Sequence, residues 1–192
     1  GYILDQGGFV VGVRFKDDFT AAYDIASTKA ECLAFRYSKY VEPEHNDIYN
    51  KTLKALKTGR PVLFTGSPCK IAGLKNFLGR EWDNLFLMEI ICHCTSSPLI
   101  FRKYLGAKER RVKAPVKSVR FHDKSVQGWG QRKLATIIEF EDGTREAFPS
   151  RKNLYFNAYV SGYLAKRSCY ECEFCGDNGI ADITIGDFWG AE

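Results

Sequence analysis

The sequence predicts a mixed α/β fold of α+β character, in which a partly parallel sheet with flanking helices carries an antiparallel β insertion and a cysteine-rich C-terminal segment. Three observations support this prediction. Two strand-loop-helix units follow one another in the first half of the chain, which is the pattern of parallel strands. Three short strand patterns follow Pro115, two of them joined by a tight turn, and a C-x2-C-x2-C run lies near the C-terminus.

Local patterns predict the first elements. Strands are expected over residues 9–15 and 21–25, where apolar residues concentrate. Thr28 and Glu31 have the spacing of a capping box, which predicts the start of a short helix. A second helix is expected over about residues 46–57, because apolar residues recur there at helical spacing and a glycine follows.

Two consecutive units form the centre of the predicted sheet. Residues 62–65 are a short strand, and Pro68 begins an amphipathic helix that ends at Gly79. Residues 85–91 are an unbroken strand, for which we expect burial on both faces, and Pro98 begins the next helix. The loops after the two strands should lie side by side at the strands' carboxyl ends, where ligands bind in open α/β sheets.

The pattern then changes to antiparallel strands. These are predicted over residues 116–122, 134–140 and 144–148, with an Asp-Gly turn before the last of them. A helix around residues 153–165 follows, and the final strand is predicted over residues 181–185.

The composition is that of an ordinary globular protein. Of 192 residues, 45% are hydrophobic and 27% are charged, so we expect residues 1–192 to form one domain whose core needs no disulfides. No signal peptide or apolar stretch of 18 residues is present, which predicts a cytoplasmic protein with reduced cysteines and no membrane span. The chain does not begin with methionine, and we expect it to be excised from a longer protein.

Positive charge concentrates in residues 101–133, which contain eleven Lys or Arg and two acidic residues, although the net charge of the chain is only +5. Such a segment is either a face that binds anions or a solvated surface. The modest net charge and the lack of a nucleic-acid motif predict no nucleic-acid partner. A phosphorylated cofactor or an acidic partner protein fits a local patch better.

Cysteines are the most distinctive residues of the chain, because five of the seven fall in two clusters. The clusters are Cys92-His93-Cys94 and the run Cys169, Cys172 and Cys175. Cysteines two residues apart can direct both sulfurs at one metal, but the spacing does not choose between zinc and iron. Cys69 follows a predicted strand and lies at the N-terminus of a predicted helix. We expect Cys32 to be a small core residue of the capped helix.

Four motifs resemble, in order and spacing, the C-terminal domain of the coenzyme F-420 hydrogenase/dehydrogenase beta-subunit family. They are Gly66-Ser67-Pro68-Cys69-Lys70, Glu89-Ile90-Ile91-Cys92-His93-Cys94, the pair Cys169 and Cys172, and Asp182-Ile183-Thr184-Ile185-Gly186-Asp187-Phe188-Trp189-Gly190. The segment Ser38-Lys39-Tyr40-Val41 resembles a further part of the family pattern, so the resemblance extends over essentially the whole chain. Three residues depart from the pattern: Lys70 replaces a Gln, Cys94 replaces a Gly, and Cys175 is an additional thiol.

The resemblance implies a single flavin and iron–sulfur oxidoreductase domain. Members of the family carry FAD and a 4Fe-4S cluster and pass electrons between a hydride donor, the flavin and iron–sulfur centres. The resemblance implies that the cluster ligands are Cys69, Cys92, Cys169 and Cys172, with Cys94 and Cys175 as alternatives. Four thiolates are also the number that a cubane cluster requires.

A flavin site is expected where cations, hydroxyls and helix N-termini occur together. We expect FAD at Ser38, Lys39, Tyr40, Gly66, Ser67 and Ser97, with Lys39 near a phosphate. A flavin converts a hydride into single electrons that a cluster accepts. The expected partners are a small-molecule hydride donor, such as a deazaflavin coenzyme or nicotinamide, and a redox partner protein or a missing N-terminal ferredoxin-like domain.

Other interpretations remain open. The three-cysteine run can hold a structural zinc, and the domain can be a non-catalytic accessory module that has lost its cofactors. Cys69 can instead be the nucleophile of a cysteine enzyme, although its loop lacks the usual catalytic Arg. His93 can bond backbone, and Phe188 and Trp189 fit core aromatics or a flavin wall equally well.

The assigned ligands lead to a first prediction. The four sulfurs should lie within roughly 4–7 Å of one another, the scale of a cubane cluster. Cys172→Ser should abolish iron binding after anaerobic reconstitution, because three thiolates remain, whereas Cys32→Ser should bind iron as the unaltered protein does. Iron and acid-labile sulfide per chain measure the difference, and a full iron content in Cys172→Ser would show that the ligand assignment is wrong.

Overall fold

The computed structural model describes residues 1–126, 134–174 and 179–187. The chain divides into two compact units. The first unit contains Gly1–Arg36, Pro43–His93 and Cys172–Asp187, and the second contains Tyr37–Glu42 and Cys94–Glu171. That the chain is one domain stays a prediction. In the described part of the chain, no helix is both long enough and apolar enough to cross a membrane.

The described residues contain eight strands and seven α-helices. The strands are β1 (Phe9–Phe15), β2 (Ala21–Ala26), β3 (Val62–Gly66), β4 (Leu85–Ile90), β5 (Val116–Asp123), β6 (Ala135–Phe140), β7 (Arg145–Pro149) and β8 (Ile183–Ile185). The helices are α1 (Tyr2–Asp5), α2 (Lys29–Cys32), α3 (Ile48–Leu56), α4 (Pro68–Leu78), α5 (Pro98–Val112), α6 (Leu154–Val160) and α7 (Arg167–Tyr170). Two 3-10 helices cover Leu33–Phe35 and Ser150–Lys152.

A five-stranded sheet in the order β2-β1-β3-β4-β8 forms the centre of the first unit. β1 pairs with β2 in antiparallel orientation, whereas the other three pairings are parallel. This confirms the partly parallel sheet with flanking helices. Its core consists of strand and helix residues that are buried together: Val11, Tyr23, Ile48, Leu56, Val62, Phe64, Ile71, Leu74 and Leu87. Removing this apolar surface from water is the main source of the unit's stability.

Strand β4 is not buried on both faces, so that expectation is wrong. Leu87 is buried in the core with residues of α3 and α4, whereas Phe86 is 41% exposed and Ile90 is 47% exposed. Successive side chains of a strand point to opposite faces, and the face that holds Phe86 and Ile90 is not covered in the same way.

The second unit contains the antiparallel sheet β5-β6-β7, which confirms the predicted insertion. Aromatic side chains of α5, β5 and α6 pack together beside it, with ring centroids 5.1 Å apart for Phe101 and Tyr155 and 6.4 Å apart for Phe121 and Phe156. A register shift in β5 places His122 in the left-handed region, with φ at 52°.

Local signals set the ends of several elements. The Thr28 hydroxyl accepts a hydrogen bond from the Glu31 amide while the Glu31 carboxylate accepts one from the Thr28 amide, which confirms the capping box. Pro68 and Pro98 lie in the first turn of α4 and α5, as predicted. Gly79 ends α4 in the left-handed conformation, with φ at 65°.

Two expectations for short segments are wrong. The helix predicted over residues 153–165 ends at Val160, because Gly162 takes a left-handed conformation with φ at 81°. Asn153 caps this helix by accepting a hydrogen bond from the Phe156 amide. Cys32 is half-buried and is not a core residue, since the four-residue helix α2 buries none of its side chains.

Gly8 generates a prediction about stability. A Cβ at this position would lie 2.3 Å from the Pro61 carbonyl oxygen and 2.7 Å from that of Ile3, so the backbone would have to move. We expect Gly8→Ala to lower the free energy of unfolding by about 1–3 kcal/mol. Gly106→Ala is the control, because its Cβ would meet only Arg110 at 3.4 Å in α5 and should stabilise by about 0.5–1 kcal/mol. Urea unfolding measures both, and equal stabilities would contradict the close approach.

Candidate functional site

Two cysteines of the first unit follow neighbouring parallel strands at the same edge of the sheet. Gly66, the last residue of β3, pairs with Glu89 of β4. Cys69 lies three residues after Gly66, in the first turn of α4, and Cys92 lies three residues after Glu89. Both cysteines are exposed, and the Cys69 sulfur is 3.4 Å from the Ser67 hydroxyl. The structure thus confirms that the two loops begin at neighbouring strand ends.

A buried tyrosine lies close to both thiols. Tyr23 is 2% exposed, and its ring stacks on Phe64 with centroids 5.6 Å apart. Burial raises the pKa of the Tyr23 hydroxyl far above its usual value, and the neighbouring Tyr49 hydroxyl adds to this shift. The Cys69 and Cys92 thiols also raise this pKa, so both act electrostatically on the same phenol.

Gly66 allows the close approach of Tyr23. A Cβ at Gly66 would lie 2.7 Å from the Tyr23 hydroxyl and 3.5 Å from the Cβ of Lys70. A glycine is therefore required at position 66 of the first motif because a side chain there would collide with the Tyr23 hydroxyl. Its expected contact with a flavin stays a prediction, as does that of Ser67.

A polar cluster surrounds the start of α4. The Lys70 amine lies 2.7 Å from Nε2 of His45, and the Tyr49 hydroxyl donates to the Lys70 carbonyl at 2.8 Å. The His45 and Tyr49 rings meet edge to face with centroids 5.4 Å apart. Sequence reasoning missed Tyr23, His45 and Tyr49, because no motif contains them and only the folded sheet brings them to Cys69.

Cys94 differs from the neighbouring cysteine of its motif. It belongs to the second unit, where it is buried and its sulfur donates to the Tyr159 carbonyl at 3.8 Å. The Tyr159 hydroxyl donates in return to the Cys94 carbonyl. Burial raises the pKa of the Cys94 thiol, and the Cys169 thiol adds to the rise. Cys94 is thus held in the interior of its unit as a neutral thiol.

The remaining predicted ligands lie in different parts of the chain. Cys169 is a half-buried residue of α7 in the second unit, and Cys172 is a half-buried residue of the first unit. Cys175 lies outside the described residues, as do Phe188 and Trp189. Within residues 1–126, 134–174 and 179–187, no three His, Cys, Asp or Glu side chains form a group that could hold a metal ion. The convergence of the four sulfurs stays a prediction.

Tyr40 is anchored firmly in the second unit. Its carbonyl oxygen accepts hydrogen bonds from the hydroxyls of Ser96 and Tyr155, at 2.9 and 2.7 Å. Its hydroxyl lies 2.9 Å from Nδ1 of His122. These bonds tie the Ser-Lys-Tyr segment to the loop that precedes α5, so two segments of the predicted flavin site are neighbours.

Lys39 is the cation of this segment. It is half-buried, and burial lowers the pKa of its amine to about 8, so the amine is charged at neutral pH but close to titration. Ser38 is exposed, and Ser97 precedes α5 without a capping hydrogen bond from its side chain. Whether these residues contact a flavin stays a prediction.

Acidic side chains form ion pairs with some of the basic residues in the positive segment, residues 101–133. Glu146 pairs with Lys108 at 2.8 Å and also with Arg111. Arg120 pairs with Asp123 and Glu139, each at 3.1 Å. Other basic residues of this segment are exposed: Arg102, Lys103, Arg110, Lys113 and Lys117. Residues 127–133 of the segment lie outside the described part of the chain.

Comparison with known proteins agrees with these observations. Residues 59–192 match the family model that describes the C terminus of the beta subunit of coenzyme F420 hydrogenase/dehydrogenase. Because the match covers more than half of the chain, the protein belongs to this family, which confirms the resemblance seen in the motifs. The family comprises subunits of oxidoreductases. No curated protein matches the chain.

The fold is similar to that of a solved chain in the F420-reducing NiFe hydrogenase complex from Methanosarcina barkeri. The TM-score is 0.62 at 15% sequence identity, and the similarity covers 97% of this chain and 60% of that chain. At this identity the similarity shows the fold alone. It confirms the mixed α/β class, and the protein spans about three fifths of the length of the chain it resembles.

The environments of the cysteines predict different reactivities. In the reduced, metal-free protein, iodoacetamide at pH 8 should modify Cys69 and Cys92 at least about tenfold faster than Cys94, because burial limits both access and thiolate formation at Cys94. Tandem mass spectrometry of the labelled peptides locates the modification. In urea the three rates should become similar, and equal rates in the folded protein would contradict the burial of Cys94.

Proposed function

We propose that this protein is an electron-transfer flavoprotein domain that passes electrons between a hydride donor, FAD and a 4Fe-4S cluster. The observation that carries the proposal is the position of Cys69 and Cys92, each three residues beyond a paired position of two parallel strands. Two exposed thiols at neighbouring strand ends are a starting point for a metal centre. Membership of a hydrogenase and dehydrogenase subunit family supports a redox role.

The chemistry of the donor set fits a cluster. Cys69, Cys92, Cys169 and Cys172 would supply its four thiolates, and none of the described cysteines forms a disulfide. Cys69 and Cys92 are exposed, so both are accessible to iron during assembly. A bound cluster would store and release one electron at a time.

Cys94 is the weaker of the two alternative ligands. Its side chain is buried, and it exchanges two hydrogen bonds with Tyr159, one through its thiol and one through its carbonyl. These contacts support a structural role in the second unit. Cys175 remains the alternative to Cys169 or Cys172.

The flavin would be bound by the cation and hydroxyls that the sequence predicts for it. Lys39 would contribute a positive charge to a phosphate, and Tyr40 fixes the position of Lys39 through its bonds to Ser96 and Tyr155. The other residues proposed for flavin binding are Ser38, Gly66, Ser67 and Ser97. Bound FAD would accept a hydride and deliver electrons singly.

The residues near Cys69 determine the polarity and the charge around its thiol. The stacked and buried rings of Tyr23 and Phe64 form an apolar layer next to Gly66. The raised pKa of Tyr23 keeps its hydroxyl neutral, so it adds no negative charge beside the thiols. Lys70, held by His45 and Tyr49, adds a cation to this edge of the sheet.

The partners follow from the same proposal. We propose a deazaflavin coenzyme as hydride donor, with nicotinamide as the alternative. The solved chain of similar fold belongs to a hydrogenase complex, and this supports a partner subunit or a ferredoxin-like domain as the electron acceptor.

Other candidate functions rest on particular cysteines. Cys69 is exposed in the first turn of α4, where a nucleophile would be placed, and the C-x2-C-x2-C run could bind zinc in an accessory domain. Anaerobic reconstitution with iron and sulfide separates these functions from the proposed one. A brown protein with about four irons per chain supports the cluster. A colourless protein that binds zinc alone, or that turns over through Cys69, contradicts it.

The lowered pKa of Lys39 predicts how flavin binding depends on pH. Below about pH 8 the amine is charged, and binding a phosphate needs no proton. Above about pH 8 the free protein has lost this proton, whereas a bound anion favours the charged amine, so affinity should fall by up to about tenfold per pH unit. Titration followed by flavin fluorescence at pH 7 to 9 measures the effect.

The controls for this titration are two lysine variants. Lys39→Gln should bind FAD about tenfold more weakly at pH 7 and should lose the pH dependence. Lys57→Gln, which changes an exposed lysine of the first unit, should behave like the unaltered protein. Unchanged binding by Lys39→Gln would remove Lys39 from the site, and no quenching by the unaltered protein would refute the flavin proposal.

A further inference from the structure

Glu89 is an unusual residue for the interior of the first unit. It is 4% exposed near the carboxyl end of β4, on the same face of the strand as the core residue Leu87. A buried carboxylate is costly unless hydrogen-bond donors reach it. Both of its oxygens are reached from the C-terminal segment: Oε1 accepts from the Thr184 hydroxyl at 2.7 Å and Oε2 from the Ile180 amide at 3.4 Å.

A second carboxylate also attaches this segment to β4. Here the carboxylate belongs to the C-terminal segment and the donor belongs to β4. The Asp182 side chain accepts a hydrogen bond from the Leu87 amide at 2.7 Å, and the Asp182 amide donates to the Leu87 carbonyl at 3.1 Å. The Lys75 amine of α4 donates to the Ile180 carbonyl at 3.2 Å. We call the bonds made by Glu89, Asp182 and Thr184 the carboxylate clamp.

The clamp adds to other contacts that hold the C-terminal segment on β4. Ile180 and Ala181, just before β8, pack against the core of the first unit. β8 itself has three residues, all exposed, which pair with Met88 to Ile90, and the Ile91 amide donates to the Ile185 carbonyl at 2.9 Å. Because β8 itself buries little apolar surface, hydrogen bonds to a buried carboxylate gain importance, since such bonds are strong in a low-dielectric interior.

The clamp joins the second motif to the fourth. Glu89 of the second motif is three residues before Cys92 and accepts a hydrogen bond from Thr184 of the fourth motif. Asp182 of the fourth motif bonds the backbone of Leu87, two residues before Glu89.

We infer that Glu89 is a positioning residue, which through Thr184 and Ile180 fixes residues 179–187 on β4 and so steadies the end of the strand that leads to Cys92. This inference rests on the proposed function, because Cys92 is a proposed cluster ligand. Glu89 contacts neither iron nor flavin in this role. Its effect would reach the cluster through the backbone between Glu89 and Cys92.

Thr184→Val tests the inference without opening a cavity, since Thr184 is exposed and valine has the same shape. Hydrogen exchange of the peptide covering residues 179–187 should accelerate about tenfold, and iron should pass to a chelator about tenfold faster than from the unaltered reconstituted protein. Thr184→Ser, which keeps the hydroxyl, should restore both rates. Thr144→Val is the matched control, because exposed Thr144 donates to the Asp142 carboxylate at 2.9 Å in a turn of the second unit.

The outcomes separate this inference from the proposed function. Faster exchange together with faster iron loss in Thr184→Val, and neither change in Thr144→Val, supports the positioning role. Faster exchange with an unaltered rate of iron loss refutes the positioning role but leaves the proposed cluster intact. Unaltered exchange in Thr184→Val also refutes the positioning role. An unaltered protein that binds no iron refutes the proposed function itself, and the exchange data then show the clamp to be structural.

Discussion

The parallel register of β3 and β4 is the constraint on which the candidate site depends. Pairing of Gly66 with Glu89 fixes where each strand ends, and the same three-residue step then leads to Cys69 and to Cys92. A shift of the register by one residue would turn Leu87 and Glu89 away from the core, because successive side chains of a strand alternate between faces. Burial of Phe64 and Leu87 against α3 and α4 specifies the register, so core packing determines the geometry of the site.

Features that depend on neighbouring residues in the sequence could be predicted. The capping box of Thr28 and Glu31 and the prolines that open α4 and α5 need only a few adjacent residues. The side-by-side loops could also be predicted, because two consecutive strand-loop-helix units leave few topologies open. The candidate thiols therefore emerged from the motifs together with a general rule about parallel strands.

Features that depend on distant residues could not be predicted. Tyr23 comes from β2 and reaches Gly66 only after two further strands have paired, and no local pattern marks it as part of a site. The exposure of Phe86 and Ile90 has the same origin, since an apolar run does not reveal which of its faces a helix will cover. The assignment of residues 37–42 to the second unit likewise depends on contacts such as that of Tyr40 with Tyr155, which is 115 residues away.

Glu89 accepts hydrogen bonds that an apolar side chain could not accept, although an apolar side chain would cost less free energy to bury. An apolar side chain at this position would fill the core but would offer nothing to the Thr184 hydroxyl or the Ile180 amide. Those donors lie at least 91 residues later in the chain, so the carboxylate stays without them until the C-terminal segment docks on β4. The cost of burying this polar group without partners thus becomes a penalty against any state in which β8 is detached. The hydrogen bonds add to the packing of Ile180 and Ala181 and give a defined position to a three-residue edge strand with exposed side chains.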